Sequence, residues 1–202
     1  MDSIKQLVHA VAEIKKSKFL AFVHPLADEH EAKRLLVEYR KRYPDATHHA
    51  HAYTLASPAT QNVSDDGEPH RSAGMPMLEV LNNHGLDDIL AVVIRYYGGV
   101  KLGTGGLSRA YAGIVAAALQ KAIVVSKTQR IRCTVVIPLE MAGRLEHHIR
   151  KHVATCSATY ETEAVFTVDI DADAFPTFSS MISEVSGGVA DLSVVKRFEI
   201  YR

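Results

Sequence analysis

ILAVVIRYYGGVKLGTGGLSRAYAGIVAAAL, residues 89–119, is the stretch that decides the fold. Its first part, residues 89–94, is the most apolar run of the chain. Aspartates precede this run and glycines follow it, a pattern typical of a buried central strand. The alanine-rich segment 107–122 carries apolar residues at helical spacing. The sequence therefore predicts a strand, a glycine loop and a helix that form one unit.

The glycine loop has the composition of an anion-binding surface. Glycines leave backbone N–H groups open to a ligand, and a helix N-terminus adds unpaired donors and partial positive charge. The glycines concerned are Gly98, Gly99, Gly103, Gly105 and Gly106. The flanking side chains offer donors, charge or rings, and they are Arg95, Tyr96, Tyr97, Lys101, Thr104, Ser108 and Arg109. We predict a phosphate- or nucleic acid-binding surface here, with a tight turn and close helix packing as the alternative.

Two side chains of this surface have open roles at this stage. Adjacent strand residues point to opposite faces, so one of Tyr96 and Tyr97 is expected to be buried while the other stacks on a base or supports the loop. Arg95 is expected either to pair with phosphate or to neutralise Asp65 or Asp66.

The loop matches neither standard nucleotide-binding motif. Gly98 and Gly103 have P-loop spacing, but Thr104 stands where that motif needs lysine. Ser108 stands where a dinucleotide-binding loop has its third glycine. A conventional NTPase or dehydrogenase is therefore disfavoured.

The segment NVSDDGEPHRSAG, residues 62–74, is polar and is expected to be a long exposed loop. Loops of this length are commonly binding elements or lids. Its residues Asp65, Asp66, Gly67 and Glu68 are candidate functional positions. The carboxylates suit a magnesium ion shared with phosphate, whereas simple turn chemistry also explains Asp-Gly and Glu-Pro.

The remaining pattern predicts an α+β chain of two domains. In the first, residues 1–126, we expect a hairpin over 8–23, a helix from Asp28 to Pro44, a strand over 48–56 and a short helix opened by Gly74 and Pro76. The second, residues 127–202, has the order βαββαβ of a ferredoxin-like unit. Its expected elements are strands 131–137, 154–162, 165–170 and 191–200 with helices 139–151 and 172–185.

Composition excludes several classes of protein. The chain has 202 residues, Lys+Arg and Asp+Glu balance at 23 each, and no apolar run is long enough to span a bilayer. A secretory signal pattern is not seen, so we expect a cytoplasmic protein without membrane attachment. Cys133 and Cys156 lie in strand-like runs and are expected to be buried thiols. A basic excess over residues 127–151 could be a weak nucleic-acid footprint or a solvated face.

The sequence predicts no catalytic set and no metal or other cofactor. The cysteines lie in the second domain and the candidate serines lie in glycine-rich turns, so no nucleophile with a base can be assembled. Of His48, His49 and His51, strand alternation puts only the last two on one face, which is too few for a tetrahedral site. His148 and His152 are expected on a solvated helix face.

Three motifs in this order and spacing resemble the IMPACT family, and the whole chain looks like its bacterial YigZ-type members. They are SDDGEP (64–69), GMPMLEVL (74–81) and AVVIRYYGGVKLGTGGLSRAY (91–111). The resemblance implies that the first domain has the fold of the second domain of a small-subunit ribosomal protein. It also implies that the second domain resembles the last domain of elongation factor G.

The resemblance also sets the functional expectation. Eukaryotic members look like translation regulators in the amino-acid-starvation response, although they carry a different accessory domain. We therefore expect a non-enzymatic protein that regulates translation by associating with RNA, the ribosome or a protein partner in translation. The alternative is a magnesium-dependent enzyme for a small phosphate compound or nucleotide, with Asp65, Asp66 and Glu68 holding the metal.

Overall fold

The computed structural model describes residues 2–153 and 155–201. The chain divides into two compact units, one over residues 2–126 together with Tyr201 and the other over Lys127–Ile200. The α+β class is confirmed, since each unit pairs helices with an antiparallel sheet.

The first unit contains six strands and three helices, and the first residues of a seventh strand. These are β1 (Asp2–Ile4), β2 (Val8–Ile14), β3 (Ser17–Pro25), α1 (Glu29–Arg42), β4 (His48–Ala56), β5 (Ala59–Ser64), α2 (Gly74–Asn83), β6 (Ile89–Tyr96), α3 (Thr104–Leu119) and the start of β7 (Val124–Pro138). β1 pairs antiparallel with residues 124–126 of β7.

Local sequence signals explain where these elements begin and end. The β2–β3 turn places Lys15 and Lys16 at φ 47° and 65°, the left-handed pair of a two-residue hairpin. Helix α1 begins after Asp28, whose side chain accepts a hydrogen bond of 2.8 Å from the Glu31 N–H. It ends before Pro44, which cannot continue a helix. The predicted hairpin and both predicted helix boundaries are confirmed.

The main sheet of this unit has the strand order β2-β3-β6-β4-β5. β6 lies at its centre, and its residues 89–95 are all buried, so the predicted central strand is confirmed. Helix α1 packs on one face of the sheet, while α2 and α3 pack on the other. The end of β6 lies beside the starts of β3 and β4, with Lys18 opposite Tyr96 and His48 opposite Arg95. Arg95 and Tyr96, which belong to the predicted binding surface, therefore lie at this end of the sheet.

The expectation of a long exposed loop over residues 62–74 is right only in part, since residues 62, 63, 67 and 69–71 are exposed but the others are half-buried or buried. Its first three residues complete β5, which pairs with β4. Glu68, Ser72 and Ala73 are buried at 8%, 1% and 0% exposure. Polarity misled the prediction, because these polar groups are satisfied inside the protein and not by water.

The second unit has the predicted βαββαβ order. Its elements are β7, α4 (Leu139–His152), β8 (Thr155–Tyr160), β9 (Glu163–Asp171), α5 (Phe175–Ser186) and β10 (Asp191–Tyr201). β7 pairs with both β9 and β10, and β8 pairs with β9. The core lies between this sheet and the two helices, and it includes Cys133 at 0% exposure.

Two element starts in this part of the chain differ from the prediction, and a third cannot be compared. β7 begins at Val124 and not at residue 131, because its first residues pair with β1. The helix expected from Ala172 opens with a 3₁₀ turn, Ala172–Ala174, before α5. The start predicted for β8, Ala154, lies outside the described residues.

Candidate functional site

The principal cleft of the first unit lies where β6, the glycine loop and α3 meet. Its volume is about 480 Å³. The residues that line it are Thr47, His48, Glu68, Pro69, Arg95, Tyr97, Lys101, Leu102, Gly103, Thr104 and Leu107. Five residues of the predicted phosphate- or nucleic acid-binding surface are thus brought together here, namely Arg95, Tyr97, Lys101, Gly103 and Thr104. Glu68 joins them from the 62–74 segment.

Three glycines of the loop are required by the backbone itself. A Cβ on Gly98 would lie 1.9 Å from the Lys16 carbonyl oxygen, because the loop passes against the β2–β3 turn. Gly99 and Gly103 have φ of 82° and 76°, the left-handed region that glycine adopts without strain. The turn-and-packing alternative therefore accounts for these three positions, while Gly103 also lines the cleft.

The other predicted loop residues lie outside the principal cleft. A Cβ on Gly105 would be 3.6 Å from Nη1 of Arg109, and one on Gly106 would be 3.2 Å from Cβ of Leu102. The Ser108 hydroxyl donates to the Thr104 carbonyl at 3.1 Å. Gly106, Ser108 and Arg109 line neighbouring hollows.

Arg95 is a buried structural cation, not a free phosphate ligand. Its side chain is 5% exposed and its Nη1 lies 2.5 Å from Oε1 of Glu68. Its Nη2 donates to Oγ of Ser17 at 3.2 Å. The expectation that it would pair with Asp65 or Asp66 is wrong, because its ion-pair partner is Glu68. Its Nε is buried with no hydrogen-bond partner among the described residues.

Glu68 is the acceptor at the centre of this network. It takes a 2.8 Å hydrogen bond from the Tyr111 hydroxyl as well as the one from Arg95. Burial raises the pKa of the Tyr111 phenol well above its ordinary value of 10.0, and the neighbouring Glu68 carboxylate raises it further. Helix α3 and the 62–74 segment are thereby joined through buried polar groups.

His48 closes the same network from β4. Its Nδ1 lies 2.8 Å from the Asp66 carbonyl oxygen, and a carbonyl only accepts, so Nδ1 carries the proton. Its Nε2 is then 3.8 Å from Oε1 of Glu68, at the wall of the cleft. The orientation of the ring is therefore fixed by its Nδ1–H hydrogen bond.

The two tyrosines after Arg95 lie on opposite sides of the sheet, as strand alternation predicts, but Tyr96 is only half-buried. Tyr96 packs on the α1 side of the sheet and donates to the Asp45 carboxylate at 3.3 Å. Tyr97 is 45% exposed and lines the cleft. The Arg95 guanidinium lies 5.5 Å from the centre of the Tyr97 ring, on its protein side. Tyr97 is therefore the exposed ring of the pair, and the Arg95 guanidinium contacts the face of the ring that is turned toward the protein.

The carboxylates of the 62–74 segment do not form a magnesium site. Asp65 accepts from the backbone N–H groups of Arg71, Ala73 and Gly74 at 2.7, 2.9 and 2.9 Å. Asp66 lies 2.5 Å from the Arg40 guanidinium and accepts from the His49 N–H at 2.6 Å. Gly67 supplies the φ of 86° that turns the chain between them and Glu68. No group of three potential metal ligands occurs among the described residues.

These hydrogen bonds change the acidity of both aspartates. Desolvation alone would raise the pKa of Asp65, but the N–H groups of Gly74, Ala73 and Arg71 reverse that effect and bring it below its ordinary 3.8. Desolvation of Asp66 is likewise outweighed by Arg40 and by the His49 N–H, so its pKa is also lowered. Both groups therefore act as structural anions.

Four of the six cations over residues 127–151 form ion pairs within the second unit, whereas Arg144 and Lys151 are exposed. Arg132 forms two bonds with Asp169, at 2.6 and 2.7 Å. Lys127 pairs with Glu199, Arg130 with Asp171 and Arg150 with Glu146.

Several residues in or beneath the cleft gave no signal in the sequence. Ser17 begins β3, and Thr47 immediately precedes β4, where its Oγ1 accepts from the Tyr97 N–H at 3.0 Å. Leu107 and Tyr111 belong to the helical segment that is predicted only to pack on the sheet. A buried glutamate beside a buried arginine is a tertiary feature, so spacing along the chain could not reveal it.

The sequence comparisons identify the family. The model of the Impact N-terminal domain matches residues 15–119, which is more than half of the chain. The chain belongs to the IMPACT family. It is 33% identical to the IMPACT family member YigZ of Escherichia coli over 193 residues, which is 94% of this chain and 95% of that protein.

Other IMPACT relatives extend the match over most of the chain. The IMPACT family member YvyE of Bacillus subtilis is 35% identical over 182 residues, 89% of this chain and 83% of the relative. A crystal structure of a hypothetical protein aligns with a TM-score of 0.67 and 32% identity, covering 96% of this chain and 97% of that one. Within the described residues, no helix is long and apolar enough to cross a membrane.

Proposed function

We propose that this IMPACT-family protein regulates translation by associating with RNA or the ribosome through the cleft at the start of α3. One observation carries the proposal: an exposed aromatic ring, a lysine and the open end of a helix meet at one cleft. Tyr97 supplies the ring and Lys101 supplies the charge. Family membership and the implied likeness to ribosome-associated domains support the same reading.

The helix end supplies donors without a side-chain cap. The Leu107 N–H bonds to the Gly103 carbonyl at 2.9 Å, so the N–H groups of the three residues before it precede the first intrahelical bond. Gly103 places no side chain over them and makes no capping bond. The partial positive charge of the helix end favours phosphate.

The buried Glu68–Arg95 pair beneath the cleft supports the proposed binding surface. The Glu68–Arg95 pair is internally neutral, so the guanidinium supports Tyr97 and the cleft wall while Lys101 remains the exposed cation. Among the described residues, no ion pair involves Lys101. We therefore expect substitution of Lys101 to weaken RNA binding and substitution of Arg95 to lower the stability of the fold.

The direct test is binding of fluorescent RNA and of purified ribosomes at low and physiological salt. We expect wild-type binding to weaken with salt and the Lys101→Ala variant to bind less tightly, with a salt slope lower by about one unit. Tyr97→Ala should remove a stacking contribution of about 1–3 kcal/mol. Lys41→Ala is the matched control, since Lys41 lies on α1, which packs on the opposite face of the sheet.

Two results would overturn the proposal. One is the absence of RNA and ribosome binding by the wild type at low salt. The other is binding that Lys101→Ala weakens no more than Lys41→Ala does.

A small phosphate ligand is the second candidate, favoured by the cleft volume of about 480 Å³, which lies in the range occupied by small ligands. Thermal unfolding with nucleotides and inorganic phosphate, with and without magnesium, tests it. Under this alternative a nucleotide should raise the unfolding temperature of the wild type but not of Lys101→Ala. The Asp65, Asp66 and Glu68 carboxylates are engaged with protein donors, so the stabilisation should not need magnesium.

A further inference from the structure

Two smaller hollows lie on either side of the first turns of α3. The second hollow, about 250 Å³, lies between α3 and the β2–β3 turn and shares Leu102 with the principal cleft. The third, about 350 Å³, lies between α3 and α2 and shares Arg109 with the second. Each hollow thus shares one lining residue with the next, and we name the three together the α3 groove.

The α3 groove is lined by more positive than negative charge. Lys101 lies in the first hollow, Lys15 and Arg109 in the second, and Arg71 with Arg109 in the third. None of these four side chains takes part in an ion pair among the described residues. The lining includes two carboxylates, and Glu68 is already paired with Arg95 while Glu79 lies in the third hollow.

Two of these cations, Lys15 and Arg109, lie close to the glycine loop and the start of α3. Lys15 lies in the β2–β3 turn at φ 47°, and the loop contacts that turn at Gly98. Arg109 folds back toward the helix start, since its Nη1 would be 3.6 Å from a Cβ on Gly105. A side chain at Gly105 would narrow the path between the second hollow and the first turn.

One end of the groove carries the exposed Tyr97 ring. A ring available for stacking needs a base that is not already stacked in a duplex. The guanidinium of the buried Arg95 is held against the protein side of this ring, with its Nε lacking a partner among the described residues. The ring is thus supported at the place where a nucleobase can reach it.

We infer that the α3 groove binds one single-stranded segment of RNA, with a base on Tyr97 and the sugar-phosphate backbone passing from Lys101 along Lys15 and Arg109 to Arg71. Several separated cations along a path fit successive phosphates, whereas a single phosphate or nucleotide would use the first hollow alone. The inference rests on the proposed function and adds to it the strand form of the RNA and its path.

The test is a length series of labelled single-stranded RNA, from roughly four to sixteen nucleotides, measured by fluorescence anisotropy at several salt concentrations. The same sequences annealed to their complements serve as duplex probes. The variants are Lys101→Ala, Lys15→Ala, Arg109→Ala and Arg71→Ala, with Lys41→Ala as the control. Far-ultraviolet circular dichroism confirms that each variant is folded.

We expect wild-type affinity to rise with length and to favour the single strand over the duplex. Lys101→Ala should weaken binding at every length. Arg109→Ala and Arg71→Ala should weaken the longer probes only, each lowering the salt slope by about 0.7 for a single strand. Lys41→Ala should bind as the wild type does.

Results that contradict the path along the α3 groove differ from those that contradict the proposed function. If Lys101→Ala weakens binding but affinity does not depend on length and the Arg71 and Arg109 variants behave as the wild type, the groove path is wrong and the proposed function stands. If the duplex binds as tightly as the single strand, the strand form is wrong. If no RNA binds, both the groove and the proposed RNA association are wrong.

Discussion

Glu68 and Arg95 illustrate how one pair of charges can set the structure of a site. Their side chains are 3% and 5% exposed, and each has further polar contacts, to Tyr111 and to Ser17. Removing one member of a buried pair leaves an uncompensated charge, which costs more than the pair itself contributes. The cleft wall therefore depends on both residues being present.

Glu68→Gln should destabilise the protein by about 3 kcal/mol, because the Arg95 guanidinium loses its counter-charge without gaining water. Urea unfolding at neutral pH measures the effect. Glu79→Gln, an exposed acid on α2, is the control and should change stability by less than about 0.5 kcal/mol. Equal unfolding midpoints for the two variants would show that the pair contributes nothing.

Tyr111 should make the protein sensitive to alkali. Its pKa is raised on folding, so its contribution to stability is complete below the ordinary value of 10.0 and is lost as pH rises above it. Tyr111→Phe should therefore be less stable at pH 8 but lose less further stability between pH 9 and 11. Thermal unfolding across that range is the measurement, and parallel pH profiles for wild type and variant would contradict the assignment.

At the scale of elements, the strand-loop-helix unit depends on close contact as well as conformational freedom. Gly98→Ala would force the loop away from the β2–β3 turn, since the new Cβ meets backbone atoms at 1.9 and 2.0 Å. We expect a loss of about 3 kcal/mol. Gly113→Ala is the matched control within α3, where no atom lies within 4 Å of the new Cβ and the change should be neutral or stabilising by up to about 1 kcal/mol. Denaturant unfolding of the two variants decides the matter, and a neutral Gly98→Ala would contradict the packing argument.

The start of α2 depends on Asp65, which acts as its cap from outside the helix. Asp65→Ala should lower stability by about 2 kcal/mol at neutral pH, because three backbone N–H groups lose their acceptor. The pKa of Asp65 is lowered on folding, so this stability is present above the ordinary 3.8 and is lost as pH falls below it. The difference between Asp65→Ala and the wild type should thus shrink in acid. Urea unfolding at pH 7 and near pH 3 compares them, and a difference that stays constant would contradict the role.

At the scale of the molecule, several cations of the second unit are held in ion pairs, and Arg132 among them forms two hydrogen bonds with a single carboxylate. Arg132→Ala should leave RNA affinity unchanged, because the guanidinium is already held by both oxygens of Asp169. Lys101→Ala, measured in parallel by anisotropy, should weaken it. A loss of affinity with Arg132→Ala would show that the second unit also contacts RNA.

The sequence predicted the elements better than the site. A continuous apolar run marked β6, which is buried on both faces, and helical periodicity marked α1 and α3, because burial of one helix face leaves a repeating apolar pattern. The prediction failed in part over residues 62–74, where Asp65 and Asp66 are half-buried and Glu68 is buried although all three are polar. Composition cannot distinguish a polar segment that water solvates from one whose groups bond to distant parts of the protein.

The sequence by itself determined the α+β class, the order of the elements and the glycine-rich approach to α3, since these follow from local periodicity and from conformations that only glycine adopts freely. Only the tertiary structure decided which charges are available. It paired Arg95 with Glu68 and Arg132 with Asp169, and it left Lys101 and Tyr97 at the surface of the cleft. The physical reason is that an ion pair depends on distance in space, and these partners lie 27 and 37 residues apart along the chain.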